Sequence, residues 1–90
     1  MIVRVRVKIH GLVQGVGFRF STAREAERLA LDGWVKNLLD GTVQAELVGE
    51  AAVVETMLDW LQHGPRTASV DRVEVQDRGE GVAGGGFHVA

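Results

Sequence analysis

The sequence predicts an α+β domain in which strands and helices follow one another in the order β-α-β-β-α-β. Three segments alternate apolar and polar residues with a period of two, which is typical of strands that bury one face. Two other segments carry apolar residues at helical spacing, and glycine-containing turn signals separate most of the segments. Ninety residues are enough for one domain, so we expect a single domain over residues 1–90.

The first strand is predicted over residues 2–10. Valine and isoleucine alternate there with arginine, lysine and histidine, so one face of the strand should be buried and the other solvated. Three glycines within residues 11–17 break this alternation. They predict a loop between the first strand and the first helix.

The first helix is predicted to begin at about Phe18 or Ser21. Thr22 and the acid three residues later, Glu25, resemble a capping box. Apolar residues continue at helical spacing as far as Gly33, which is predicted to end the helix because glycine favours the left-handed conformation found there.

The second and third strands are predicted over residues 34–38 and 42–48. Asp40-Gly41 lies between them and is a strong signal for a hairpin turn. The third strand alternates apolar and polar residues, and we expect Gly49 to end it.

The second helix is predicted over residues 50–63, where a Gly-Pro pair stops it. The fourth strand follows over residues 70–77, with Val73 and Val75 facing inward. Residues 78–86 hold five of the twelve glycines and predict a flexible loop, and residues 87–89 predict a short final strand.

Two helices cannot cover both faces of a four-stranded sheet, so we expect both on one face. The predicted fold is therefore the ferredoxin-like α/β sandwich, with a four-stranded, mainly antiparallel sheet and a short extra strand at the C-terminal end. Such folds serve many functions, so the fold alone does not indicate the activity.

Composition excludes several classes of protein. There is no cysteine, which excludes a disulfide scaffold, a thiolate metal centre and a cysteine nucleophile. The formal net charge is −2, so no global basic field favours nucleic acid or an anionic membrane. No apolar stretch approaches the roughly 18 residues of a membrane span, and we expect the protein in the cytoplasm.

The loop before the first helix is the candidate site. Its glycines allow the backbone to curl, so that successive N–H groups and the helix dipole can surround an anion. Arg19 follows at the start of the helix, where a cation is disfavoured unless an anion joins it. The alternative is a glycine-rich connection with an exposed arginine. The spacing matches neither a dinucleotide fingerprint nor a Walker loop. Asn37, a polar amide in an apolar strand, either faces solvent, bonds locally near the turn or serves the site.

Other side chains favour simpler interpretations. The three histidines, His10, His63 and His88, share no metal-ligand spacing, so we expect no metal site. Trp34 and Trp60 are expected to pack in the core and against a helix. A basic stripe on the first strand is expected to be an ordinary solvated face. An RNA-binding module uses the same topology, but the third strand offers no aromatic residue for stacking on bases.

Two runs of residues resemble the two signatures of the acylphosphatase family. The first is IHGLVQGVGFR at residues 9–19, and the second is GWVKN at residues 33–37, followed by Gly41-Thr42-Val43 and Gly49. Both agree with the signatures at every defining position. The likeness extends along nearly the whole chain, with minor departures such as Ala30, where glycine is common.

The resemblance implies hydrolysis of an acyl phosphate to a carboxylate and inorganic phosphate. It implies that Arg19 and Asn37 are catalytic, Arg19 holding the phosphoryl group and Asn37 orienting the attacking water. The residues implied to bind the substrate phosphate are Gln14, Gly15, Val16, Gly17, Phe18 and Arg19. We expect no cofactor, a small-molecule acyl phosphate as the only partner, and a monomer. A non-catalytic anion-binding domain or an RNA-binding module of the same fold is the alternative.

Overall fold

The computed structural model describes all residues from 1 to 90 and contains five strands and two helices. Their bounds are β1 (Ile2–Leu12), α1 (Phe18–Arg28), β2 (Asp32–Asn37), β3 (Val43–Glu50), α2 (Ala51–Leu61), β4 (Ser69–Glu80) and β5 (Phe87–Val89). The predicted order of elements is confirmed, including the short final strand. Neither helix is long and apolar enough to cross a membrane.

The strands form one sheet in the order β4-β1-β3-β2-β5. The pairs β1·β4, β1·β3 and β2·β3 are antiparallel, and only β5 runs parallel to its neighbour, β2. This arrangement confirms the predicted ferredoxin-like sandwich. It also places the glycine loop after β1 and the end of β2 near each other, because β3 pairs with both strands.

The core lies between the sheet and the two helices, as the alternation in β1 predicts. Val5, Val7 and Ile9 have no exposed surface, and neither do Val35 and Leu47 on the neighbouring strands. Fifteen buried side chains form one apolar cluster, to which α1 contributes Phe18 and Ala26 and α2 contributes Val54, Met57, Leu58 and Leu61. A single contiguous cluster of this kind fixes the positions of the strand ends from which the loops emerge.

Trp34 does not pack in the core, contrary to the prediction. It lies on the open face of the sheet, where Arg6 and Lys36 stand 5.6 and 5.2 Å from its ring centroid. Trp60 does pack against the core, and its ring centroid is 6.3 Å from that of Phe18. The sequence does not distinguish the two tryptophans, because an indole ring suits both the core and a partly exposed sheet face.

The helix begins at Phe18, one of the two predicted starts, but the predicted capping box and the predicted end of α1 are wrong. Gly17, in the left-handed conformation with φ 77°, precedes the helix, and Thr22 is a buried residue inside it whose hydroxyl has no hydrogen-bond partner. The helix ends at Arg28, and Ala30 adopts the left-handed conformation, with φ 57°, that glycine would adopt more easily. Gly33 lies within β2, where a side chain would overlap the carbonyl oxygen of Glu46.

Two further glycine predictions need correction. Gly49 does not end the third strand but pairs with Val3 inside β3, where a Cβ atom would meet the end of the Leu31 side chain. Residues 78–80 belong to β4 and not to a loop. In the rest of the segment, the backbone N–H groups of Gly84 and Gly86 donate to the carboxylate of Asp32, so it is anchored.

Candidate active site

The loop between β1 and α1 is held at both ends and open in the middle. Val13 and Phe18 are buried in the core, whereas Gly15 and Gly17 between them are exposed. Both glycines adopt the left-handed conformation, with φ 75° and 77°. A Cβ atom at either position would meet no neighbour, so the backbone conformation and not a lack of space requires glycine here. This alternation of conformations is typical of an anion-binding nest.

The backbone N–H groups of this loop are free. No N–H group of residues 14–20 donates a hydrogen bond within the chain, and the first helical bond is from Ser21 N–H to the carbonyl of Gly17, at 3.0 Å. Free N–H groups at the start of a helix carry partial positive charge from the helix dipole. The loop therefore presents a run of hydrogen-bond donors suited to an anion.

A cleft of about 200 Å³ opens beside this loop and brings the two predicted catalytic residues together. Its lining residues are Val13, Gly15, Gly17, Phe18, Arg19, Phe20 and Asn37. Arg19 comes from the first turn of α1 and Asn37 from the end of β2. Two of the predicted phosphate-binding residues, Gln14 and Val16, do not line the cleft.

The Arg19 guanidinium has a fixed partner but no acidic side chain beside it. Its Nη1 donates to the backbone oxygen of Ala90 at 2.7 Å. No Asp or Glu forms an ion pair with it, whereas Arg28 on the same helix is 2.7 Å from Glu25. A guanidinium that forms no ion pair with an acidic side chain can bind an anion in the cleft.

The side chain of Gln14 connects the glycine loop to the hairpin turn that follows Asn37. Its Nε2 donates to the carbonyl oxygens of Leu38 and Thr42, at 2.8 and 2.9 Å. Because these are the residues at either end of the β2–β3 turn, the two bonds set the distance between the glycine loop and the turn. The side chain of Gln14 is thereby committed away from the cleft.

The turn itself is stabilised by Asp40. The Asp40 carboxylate accepts the Thr42 N–H at 3.0 Å and also the Thr42 hydroxyl. The Lys8 ammonium, 2.8 Å away, and these bonds from Thr42 hold the pKa of the Asp40 carboxyl well below its usual range. Asn37, just before this turn, is exposed, and its side-chain amide makes no hydrogen bond within the chain. The amide is therefore available to a water molecule or a ligand.

The two larger clefts do not contain the glycine loop. One, of about 500 Å³, is lined in part by His10, Asp40 and Asp71, and the other, of about 370 Å³, by side chains of α1 that include the Arg28–Glu25 ion pair. The His10 ring is 2.9 Å from Glu74 and lowers the pKa of that carboxyl. His10 thus faces away from the cleft of Arg19. No three histidine or acidic side chains cluster so as to hold a metal ion.

Sequence reasoning missed two residues that line this cleft, Val13 and Phe20, and the support that Ala90 gives to Arg19. Phe20 lines it with 64% of its surface exposed. A signal for Phe20 was available, because it falls off the helix stripe that buries Phe18, Thr22 and Ala26. No local pattern pointed to Ala90, which reaches Arg19 only because β5 pairs with β2.

The fold and the cleft together define a class: a small ferredoxin-like domain with a cleft lined by a glycine loop, an arginine and an asparagine. The sequence profile of the acylphosphatase family matches residues 5–89. The chain belongs to the acylphosphatase family.

Individual relatives agree with this assignment. An acylphosphatase of Thermococcus kodakarensis is 49% identical over 83 residues, which is 91% of either chain. One of Burkholderia thailandensis is 54% identical over 72 residues, or 80% of this chain and 74% of the relative. The crystal structure of an acylphosphatase from Bacillus subtilis superimposes with a TM-score of 0.91 at 29% identity, over 98% of both chains.

Proposed function

We propose that this chain hydrolyses acyl phosphates to a carboxylate and inorganic phosphate. The observation that carries the proposal is one cleft, in a member of the acylphosphatase family, that gathers Arg19, Asn37 and a run of free backbone N–H groups. The relatives that match most of the chain are themselves named acylphosphatases.

The phosphoryl group is held by the glycine loop and Arg19. The free N–H groups of residues 14–18 donate to the phosphoryl oxygens, and the guanidinium adds charge-assisted bonds. Gln14 and Val16 contribute through their N–H groups alone, because their side chains lie outside the cleft. These donors are fixed before the substrate arrives, so they stabilise the charge that the transition state spreads over the phosphoryl oxygens.

Asn37 orients the attacking water. The water oxygen forms a bond to phosphorus as the bond from phosphorus to the acyl oxygen breaks, and the electron pair of that bond leaves with the carboxylate. A carboxylate is already a stable leaving group, so no general acid is needed. The water proton passes to a phosphoryl oxygen of the substrate. His10 lies outside this cleft, so the rate should stay flat with pH through neutrality.

The acyl group of the substrate lies against Phe20. This exposed phenyl ring is the only aromatic side chain of the cleft apart from the buried Phe18. Contact with the ring removes apolar surface from water and so favours a substrate with an apolar or aromatic acyl group.

We further propose a cytoplasmic monomer in which residues 1–90 act as one domain, without a cofactor or a nucleic-acid partner. The basic side chains that β1 places on the open sheet face are paired within the chain, since Arg4 and Arg6 bond to Glu46 and Lys8 to Asp40. This pairing weakens the case for an RNA-binding module, whose binding depends on free cations.

Hydrolysis of benzoyl phosphate, with and without a chelator, tests the proposal. The expected result is turnover that the chelator does not change. Arg19→Ala should weaken inhibition by inorganic phosphate and lower kcat/KM by roughly a hundredfold or more, as the loss of a preorganised donor does in other enzymes. Arg66→Ala, which removes an exposed arginine without an ion pair, is the matched control. A wild-type protein without turnover would overturn the proposal.

A further inference from the structure

Asp32, the first residue of β2, binds the glycine-rich segment that leads into β5. Its Oδ2 accepts the backbone N–H of Gly84 at 2.7 Å, and its Oδ1 accepts that of Gly86 at 3.0 Å. The carboxylate forms no ion pair, so these two N–H groups are its hydrogen-bond partners within the chain. We call this pair of bonds the Asp32 clasp.

The clasp compensates for a segment that has little else to hold it. Gly84, Gly85 and Gly86 all have positive φ, at 125°, 89° and 74°, and no side chains with which to pack. Glycine loses more conformational freedom on ordering than any other residue. Because β5 is only three residues long, its pairing with β2 is weak by itself.

Ordering of β5 in turn positions Arg19. Two backbone hydrogen bonds flank the pairing of β5 with β2. At one end the Gly33 N–H donates to the Gly86 carbonyl oxygen at 3.0 Å, and at the other the Ala90 N–H donates to the Val35 carbonyl oxygen at 2.9 Å. The oxygen of the same Ala90 then accepts the bond from Arg19 Nη1 at 2.7 Å. Displacement of the glycine segment would therefore remove the partner that fixes the guanidinium.

We propose that Asp32 is a positioning residue of the active site, acting on Arg19 through the glycine segment and β5. Asp32 does not line the cleft and so makes no contact with the substrate. The inference rests on the proposed function, because it assigns to Arg19 the grip on the phosphoryl group. It predicts an effect on phosphate binding that exceeds the effect on folding.

The test compares Asp32→Ala and Asp32→Asn with the wild-type protein in benzoyl phosphate hydrolysis. For Asp32→Ala we expect KM and the inhibition constant of inorganic phosphate to rise together by roughly three- to tenfold, the size of one typical hydrogen bond. We expect kcat to fall as well, because Arg19 also stabilises the charge of the transition state, but the rise in KM and in the inhibition constant is the readout that a loss of folded protein alone would not give. Asp32→Asn keeps one acceptor oxygen, so its KM and its inhibition constant should lie between those of the wild-type protein and those of Asp32→Ala. Asp59→Ala, at an exposed carboxylate of α2, should match the wild-type protein.

Unchanged KM and phosphate inhibition in Asp32→Ala would overturn the inference, and so would a fall in melting temperature and active fraction with KM unaltered. A variant with Gly-Ser inserted between Val82 and Ala83 slackens the same segment without touching Asp32 and should raise KM in the same way. If it leaves KM unchanged, the inference fails even where Asp32→Ala does not fold. Arg19→Ala in the same assay separates the two proposals. A wild-type protein without turnover refutes the proposed function, and an Arg19→Ala enzyme as active as the wild type refutes the role of Arg19. An impaired Arg19→Ala enzyme beside a normal Asp32→Ala enzyme refutes the clasp alone.

Discussion

Replacement of Gln14 should weaken both the fold and the reaction. Gln14→Ala removes two bonds, of 2.8 and 2.9 Å, from a half-buried amide to the carbonyls of Leu38 and Thr42. At about 0.5–1.5 kcal/mol for each bond, the free energy of unfolding should fall by about 1–3 kcal/mol. In a domain of this size that lowers the melting temperature by roughly 4–8 °C for each kcal/mol.

Gln14→Glu should be more damaging than Gln14→Ala, although it changes the shape of the side chain less. A carboxylate cannot donate to the two carbonyl oxygens that Nε2 now binds, and it would bring negative charge against them. In both variants the β2–β3 turn loses its connection to the glycine loop. Asn37 then becomes less well placed, so kcat should fall more than KM rises.

Urea unfolding, followed by tryptophan fluorescence, measures the stability of the Gln14 variants, and benzoyl phosphate hydrolysis measures kcat. Gln62→Ala removes an exposed glutamine whose side chain makes no hydrogen bond and serves as the control. A Gln14→Glu protein as stable as the wild type would refute the account. It would show that the bonds from Gln14 Nε2 to the carbonyl oxygens of Leu38 and Thr42 do not contribute to stability.

Two further predictions concern the turn and the acyl group. Because Lys8 and Thr42 lower the pKa of the Asp40 carboxyl in the folded state, its contribution to stability is present above the ordinary value of 3.8 and is lost as the pH falls below it. Asp40→Asn should therefore have a lower free energy of unfolding than the wild type at pH 7. Urea unfolding at a series of pH values should show this difference shrinking as the pH falls, and a difference that stays constant down to the most acidic pH would contradict the prediction. Phe20→Ala should reduce the preference for benzoyl over acetyl phosphate by about fivefold, from the loss of about 40 Å² of apolar contact at about 25 cal/mol per Å². Val82→Ala, at an exposed side chain outside the cleft, should leave that ratio of kcat/KM values unchanged, and an unchanged ratio in Phe20→Ala would exclude the phenyl ring as the acyl contact.

The strands could be predicted because burial of one sheet face imposes a period of two on the sequence. Val5, Val7 and Ile9 are fully buried, as their alternation with charged residues predicts. The prediction is weaker at the edge of the sheet. Val75 was expected to face inward, yet it is 43% exposed, because β4 is an edge strand whose register with β1 shifts beside it.

Element ends could not be predicted well, because the same residue type serves two purposes. Glycine marks a turn at Gly17, which precedes α1, but inside strands it allows the backbone of Glu46 to approach at Gly33 and the side chain of Leu31 at Gly49. Thr22 matches a capping pattern, but tertiary burial places it inside the helix. Local sequence does not distinguish these cases, since the deciding contacts come from distant residues.

The candidate site was predictable in its parts and less so in its supports. The resemblance pointed to Arg19 and Asn37, and the structure places both on one cleft with Gly15, Gly17 and Phe18. The hydrogen bonds that support the cleft join residues far apart in the sequence. Arg19 bonds to Ala90, 71 positions away, and Gln14 bonds to Leu38 and Thr42, 24 and 28 positions away. Such pairs depend on strand order, which only the folded chain defines.

Titration of the 15N-labelled protein with inorganic phosphate tests the central claim most directly. We expect the amide resonances of residues 15–19 to shift and to saturate at one dissociation constant, equal to the inhibition constant of phosphate in the hydrolysis assay. Arg19→Ala should weaken binding while the same loop resonances still respond. Shifts confined to the open sheet face around Arg6 and Lys8, with residues 15–19 unmoved, would contradict the assignment of the glycine loop as the phosphoryl site.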